Sequence, residues 1–158
     1  MKNFVERYKP KTIKEIPQQL EALKTLIKNK KHVLIYGPTG SCKTISVYAI
    51  ANELDYEIIE VNGSDFRTKD QIDYIIGSAS RQQSLFKKEK ILLVDEVDCL
   101  SGMEDRGGAI AIAGLLKDSK FSIILTANDP HNEKIKDIKK LVTSIEFKPV
   151  NLTNITDI

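Results

Sequence analysis

A turn bearing two glycines, Gly37-Pro38-Thr39-Gly40-Ser41-Cys42-Lys43-Thr44, follows directly on the apolar run HVLIY (32–36) and leads into a segment of helical character. A strand, a glycine turn and a helix opening on Lys-Thr is the arrangement that wraps backbone N–H groups and a helix N-terminus around a polyphosphate. In that arrangement Lys43 reaches the β- and γ-phosphates and the Thr44 hydroxyl ligates Mg²⁺. A turn whose glycines merely permit tight geometry would leave the Lys-Thr pair, the strand before it and the helix after it unexplained. The full pattern G-x-x-x-x-G-K-[ST] has glycine where this chain has Cys42. Glycine serves where backbone approaches a ligand closely. Three outcomes are therefore open: weakened nucleotide binding, abolished binding, or a small loop shift that accommodates the side chain. Cys42 also precedes a lysine at a predicted helix N-terminus, a setting that lowers a thiol pKa, so a reactive thiolate is expected there. Drift at a site whose ATP affinity no longer matters is the competing reading.

A second set of chemistry-bearing residues lies at ILLVDEVD (91–98), an apolar run ending in Asp95-Glu96. An aspartate at the C-terminal edge of a parallel strand faces the crevice where such sheets bind ligands, and it can hold Mg²⁺. Glu96 is then placed to polarise an attacking water. Alone, an acidic pair after an apolar strand is an ordinary loop start; downstream of a phosphate loop it predicts an NTPase-type site. Asn128, after the run FSIILTA (121–127), belongs to the same sheet edge, where its amide can bond the γ-phosphate or orient the water. Asn-Asp-Pro is ordinary turn chemistry, so the weight of Asn128 comes from its position among the other motifs.

These groups need a scaffold, and the chain supplies one. Five runs rich in Ile, Leu and Val read as strands: HVLIY (32–36), YEIIEV (56–61), KILLVD (90–95), FSIILTA (121–127) and TSIEF (143–147). Helical signals lie between them at Thr44–Leu54, Thr68–Gln83, Gly108–Lys117 and Glu133–Lys140. Alternation of this kind predicts a parallel sheet covered on both faces, with strands apolar throughout. Before the first strand, Gln18–Asn29 places Leu20, Leu23, Leu26 and Ile27 on one helical face. The expected fold class is α/β, a three-layer P-loop architecture. The 158 residues are 41% apolar and 29% charged, the profile of one globular domain. No linker, repeat or low-complexity tract divides it. Twenty-four basic against 22 acidic residues leave a net charge of +2, so any nucleic-acid contact must be local. Two cysteines and no apolar run near 18 residues argue against a disulfide scaffold and a membrane span. The N-terminus MKNFVERYKPK has no apolar h-region, so a reducing cytosol or nucleus is expected.

The order ERYKPKT (6–12), GPTGSCKT (37–44), EVNGSDFRTKD (60–70), ILLVDEVD (91–98), EDRGG (104–108) and ILTANDP (124–130) resembles the AAA+ ATPase core of clamp-loader large subunits, those of the archaeal and eukaryotic replication factor C type. The likeness covers roughly residues 4–150, and NGSDFRTKD and EDRGG are its most diagnostic pieces. It implies a five-stranded parallel AAA+ sheet in the order 5-1-4-3-2. It makes Gly37–Thr44 the Walker A loop, Asp95 and Glu96 the Walker B pair, Asn128 the sensor-1 residue, and ATP with Mg²⁺ the cofactors. Arg7 and Tyr8, within Arg7-Tyr8-Lys9-Pro10, are similar to the segment beside the adenine. Small subunits, a sliding clamp and primer–template DNA are the implied partners, with no membrane, in the cytoplasm of an archaeal-like cell or a eukaryotic nucleus.

Two further features bear on the resemblance. Small subunits carry a Ser-Arg-Cys motif before the last strand, whereas LVTSIEF (141–147) has no arginine, so no arginine finger is expected to pass to a neighbour. The chain also stops near where a helical lid would begin. The expectation is a core at 1–150 and a tail at 151–158, with lid and collar on a separate polypeptide or lost from a shortened chain. Arg67, Lys69, Arg81 and Arg106 are the DNA-contact candidates; Lys28, Lys30 and Lys31 fall on the opposite edge and are given no such role. Apolar Gly108–Leu116 is expected to be buried on the sheet or in a subunit interface. Three functional readings stand: a clamp-loader ATPase core, a non-hydrolysing subunit of the same assembly with a degenerate phosphate loop, and a small P-loop kinase. The kinase reading lacks an arginine-rich lid and an acceptor pocket.

Overall fold

The apolar runs form five parallel strands in a computed structural model, which describes residues 10–63, 89–99 and 106–150. They are β1 (Val33–Tyr36), β2 (Glu57–Asn62), β3 (Lys90–Asp95), β4 (Ser122–Ala127) and β5 (Thr143–Glu146). Their spatial order is β2-β3-β4-β1-β5, the 5-1-4-3-2 sheet that the resemblance implies. The helices are α1 (Glu21–Lys28), α2 (Lys43–Leu54), α3 (Arg106–Asp118) and the single turn α4 (Lys136–Lys139). The predicted helix at 68–83, together with Arg67, Lys69, Arg81, Arg7, Tyr8 and the 151–158 tail, lies outside the described residues.

Period-2 geometry splits each central strand between two cores. Leu34, Leu92, Val94, Ile123 and Leu125 join Ile112, Leu115 and Leu116 of α3 and Ile138 of α4 on one face. Val33, Ile35, Ile91, Leu93 and Ile124 join Leu23 and Ile27 of α1 and Val47, Ile50 and Ala51 of α2 on the other. Helix, sheet and helix make the expected three layers. The expectation of strands hidden on both faces holds for β1, β3 and β4 but not at the edges. β5 is exposed at Thr143, Ser144 and Glu146, and β2 is largely half-buried, because an edge strand has a neighbour on one side only. Within 108–116, Ile112, Leu115 and Leu116 are buried on the sheet, while Ile110 is 68% exposed.

Parallel register puts all five C-terminal strand ends on one edge. β1 aligns Ile35 with Thr126 and Tyr36 with Ala127, and β3 aligns Val94 with Leu125. The phosphate loop, Asp95 and Asn128 therefore emerge side by side. Lys30, Lys31 and His32 sit at the opposite edge, lining a separate cleft with Lys140 and Thr143.

His32 at that far edge makes a pH-dependent contribution to stability. Its Nδ1 accepts the Ile123 N–H at 3.2 Å, which requires an unprotonated nitrogen. Burial pushes its pKa below the ordinary imidazole value, against a backbone hydrogen bond to Leu116. The unfolded chain thus takes the proton first, and stability present above about pH 6.5 is lost as pH falls. Tm is expected to drop between pH 7 and pH 5 in a thermal melt series, and to drop less in His32→Asn, whose amide oxygen keeps the acceptor. Equal drops in both proteins would contradict this assignment.

Candidate nucleotide site

The loop between β1 and α2 is shaped by residues that side chains disfavour. Gly37 has φ +156 and lies so close to β5's exit that a Cβ there would stand 2.2 Å from the Phe147 carbonyl oxygen. Gly40 has φ +79 and Cys42 has φ +68, both left-handed. The glycine of the phosphate-loop pattern therefore has a backbone reason at position 42 as well as a ligand reason. A non-glycine residue in this region costs roughly 1–2 kcal/mol. Cys42 tolerates it as the residue before α2, half-buried, with its side chain packed against the cluster that holds Val47 and Phe147. Relieving that strain, Cys42→Gly is expected to raise Tm by roughly 2–4 °C, the shift that about 1 kcal/mol produces at this size. A lower Tm by differential scanning calorimetry would mean that the packing of the thiol outweighs the strain.

The sequence-based expectation of a lowered Cys42 pKa is not met. Burial raises the thiol above its usual range, because the side chain turns toward an apolar cluster and burial penalises the thiolate. Cys42 is a packed thiol, not an activated one.

Lys43 and Thr44, the first residues of α2, connect the loop to the other two strand ends. Lys43 is buried, and its Nζ donates to the carbonyls of Gly37 at 2.8 Å and Pro38 at 3.0 Å and to Asn128 Oδ1 at 2.8 Å. Burial lowers its pKa, while the nearby carboxylates of Asp98, Asp95 and Glu96 raise it. Thr44 Oγ1 donates to Asp95 Oδ1 at 3.0 Å and Oδ2 at 3.2 Å. The structure thus joins Lys43 to Asn128, 85 positions away, and Thr44 to Asp95, in two neighbouring hydrogen-bonded pairs. Glu96 follows Asp95 in a left-handed conformation, φ +55, and its N–H donates to Thr126 Oγ1 at 3.0 Å.

Three supporting residues escape a sequence reading. Thr126 also donates its hydroxyl to Asp95; it sits near the end of β4, two residues before Asn128, and looks like an ordinary strand threonine. Asp98 Oδ2 accepts the N–H groups of Asn128 at 2.8 Å and Asp129 at 3.0 Å, and so fixes the start of the Asn-Asp-Pro turn. The only sequence signal for Asp98 is its place three residues after Asp95 on a 3₁₀ turn. Gln18 donates to the carbonyls of Ser41 at 3.2 Å and Lys148 at 2.8 Å, tying the phosphate loop to the segment after β5. Nothing local in the sequence announces such a long-range bond.

Gln18 also lines a cleft of about 880 Å³ formed by residues 16–19, Ala22 and residues 145–149, directly beside the loop. The strap that makes this wall is held down from α2: Glu53 accepts the Ile13 N–H at 3.0 Å and Asn52 donates to the Lys11 carbonyl at 2.9 Å.

The donor set fits magnesium nucleotide. Thr44 and Asp95 offer hard oxygen ligands on adjacent elements. No three His, Cys, Asp or Glu side chains converge on a metal position among the described residues. A cation that takes one or two protein oxygens and completes its shell with phosphate and water suits that arrangement. No helix among the described residues is long and apolar enough to cross a membrane.

Comparison with known proteins agrees with the geometry. The replication factor C large subunit of Nanoarchaeum equitans is 48% identical over 151 residues, 90% of this chain and 35% of the relative. That of Staphylothermus marinus is 39% identical over 155 residues, 92% and 37% of the two chains, and that of Aeropyrum pernix 37% over 163 residues, 96% and 34%. The chain spans about a third of the length of these relatives. Residues 33–148 match the "ATPase family associated with various cellular activities (AAA)". That match runs from the first residue of β1 to just past β5, and the chain belongs to the AAA family of ATPases.

Proposed function

We propose that this chain is the ATP-binding core of a clamp-loader large subunit of the replication factor C type, coupling ATP binding and hydrolysis to loading a sliding clamp on primer–template DNA. The observation that carries the reading is the convergence of Lys43, Thr44, Asp95 and Asn128 at the C-terminal sheet edge; identity of up to 48% to large subunits supports the assembly assigned. Gly37–Thr44 cradles the phosphates with the unpartnered N–H groups that begin α2. Lys43, held over the loop by the Gly37 and Pro38 carbonyls, meets the β- and γ-oxygens, and the cleft at 16–19 and 145–149 takes the base. Thr44 and Asp95 hold Mg²⁺, which when bound neutralises phosphate charge. Glu96 polarises the attacking water, and Asn128 orients it or the γ-phosphate. Cys42, half-buried and packed against the apolar cluster, supports accommodation over loss of binding. An arginine finger comes from a neighbouring small subunit.

Affinity capture of the tagged chain from its own cells, followed by mass spectrometry, tests the assembly. Recovery of clamp-loader small subunits and the sliding clamp, increased by ATP, is expected. Recovery of neither with a folded, nucleotide-bound chain would contradict the clamp-loader assignment.

A further inference from the structure

All six residues of β4 are buried, and Thr126, near its C-terminal end, carries a hydroxyl at zero exposure. A buried hydroxyl in a sheet interior must be partnered, and this one has two partners, both in the acidic pair. It donates to Asp95 and accepts from the Glu96 N–H at 3.0 Å. One hydroxyl has one proton and two lone pairs, so both bonds coexist. The bond to Asp95 Oδ1 fixes a carboxylate oxygen that also accepts from Thr44. The bond from Glu96 anchors a residue whose left-handed backbone would otherwise relax. Gly63, just past β2, leaves the room that this conformation needs: a Cβ there would lie 2.5 Å from the Glu96 carbonyl oxygen. β2 and β4 thus confine the Glu96 backbone from opposite sides of β3.

We propose that Thr126 is a positioning residue whose single hydroxyl sets the direction of both acidic groups, holding Asp95 toward Thr44 and the metal and fixing the backbone turn that aims Glu96. This rests on the reading of the site as one for magnesium nucleotide. The Thr126 hydroxyl reaches the acidic pair, not the metal position itself. It acts through Asp95 as the outer partners of metal ligands do, where loss typically costs about 10–100-fold in metal affinity.

Two variants isolate the hydroxyl: Thr126→Val keeps the shape and removes it, and Thr126→Ser keeps it. The first arm needs no nucleotide. Amide hydrogen exchange by NMR is expected to show Glu96 protected in the wild type and in Thr126→Ser, and exchanging about 10-fold faster or more in Thr126→Val, with Ile123–Leu125 amides unchanged as the fold control. Equal protection of Glu96 in all three proteins would overturn the proposal. In the second arm, the gain in ATP affinity from adding Mg²⁺ is compared with binding in EDTA. Thr126→Val is expected to lose about 10-fold or more of that gain with the EDTA value unchanged, and Thr126→Ser to restore it. Equal losses with and without magnesium would overturn the proposal, since they denote packing alone. If the folded wild type binds no nucleotide, the nucleotide-site reading fails, and Glu96 exchange alone decides whether Thr126 holds the pair.

Discussion

Lys43→Ala is expected to lower Mg-ATP affinity by roughly 100-fold or more, the scale set by losing charge-assisted bonds to phosphate. The Lys43 ammonium is held by two loop carbonyls and Asn128 within 3.0 Å. It is therefore preorganised over the cradle, and little side-chain entropy remains to be lost on binding. Alanine removes both the charge and the link between loop and β4 end, so the nucleotide loses a direct contact and Asn128 loses its anchor. Lys43→Arg is expected to rescue poorly, because a planar fork replaces a compact ammonium in a buried slot. Isothermal titration of the three proteins, with circular dichroism confirming the fold, checks the ranking. Wild-type affinity in Lys43→Ala would place the phosphates elsewhere.

The second large effect concerns folding. In Gly37→Ala the new methyl would meet the Phe147 carbonyl oxygen at 2.2 Å and its carbon at 3.1 Å. Both obstacles are backbone, and Phe147 is fixed nearby by its own N–H bond to the Tyr36 carbonyl at 2.7 Å. Relief requires moving the loop or parting β1 from β5. A cost of about 3 kcal/mol is expected, or a Tm roughly 6–12 °C lower. Gly40→Ala provides the control, because the space around Gly40 is open and only its positive φ is penalised; it should cost about 1 kcal/mol. Denaturant titration of both variants measures the difference. Equal destabilisation would mean that backbone strain, not the collision with Phe147, dominates at Gly37.

What the sequence makes legible is what local patterning controls. β1, β3 and β4 declare themselves as apolar runs because both of their faces are buried, and sheet order follows the family resemblance. The bounds drift where tertiary contacts decide them. Helix 18–29 starts later, at Glu21, because Gln18 is engaged with the loop and the Lys148 carbonyl instead of a first helical turn. Glu133–Lys140 resolves into a 3₁₀ turn and a single α turn. The placement of Lys43, Thr44, Asp95, Glu96 and Asn128 along one sheet edge is legible because glycine turn chemistry and strand ends carry them. The Cys42 reading fails on direction: spacing places the thiol beside a lysine, but a left-handed backbone turns it against the apolar cluster, half-buried. Thr126 and Asp98 stay hidden because threonine in a strand and aspartate in a turn are common, and only distance shows what they hold.

The most direct test is a calorimetric titration of the folded chain with ATP, once with magnesium and once with EDTA. One saturable site per chain, weakened when magnesium is withheld, is the predicted result. A chain that is folded by circular dichroism yet shows no saturable binding at millimolar Mg-ATP would contradict the central claim that Gly37–Thr44, Asp95 and Asn128 form a working nucleotide site.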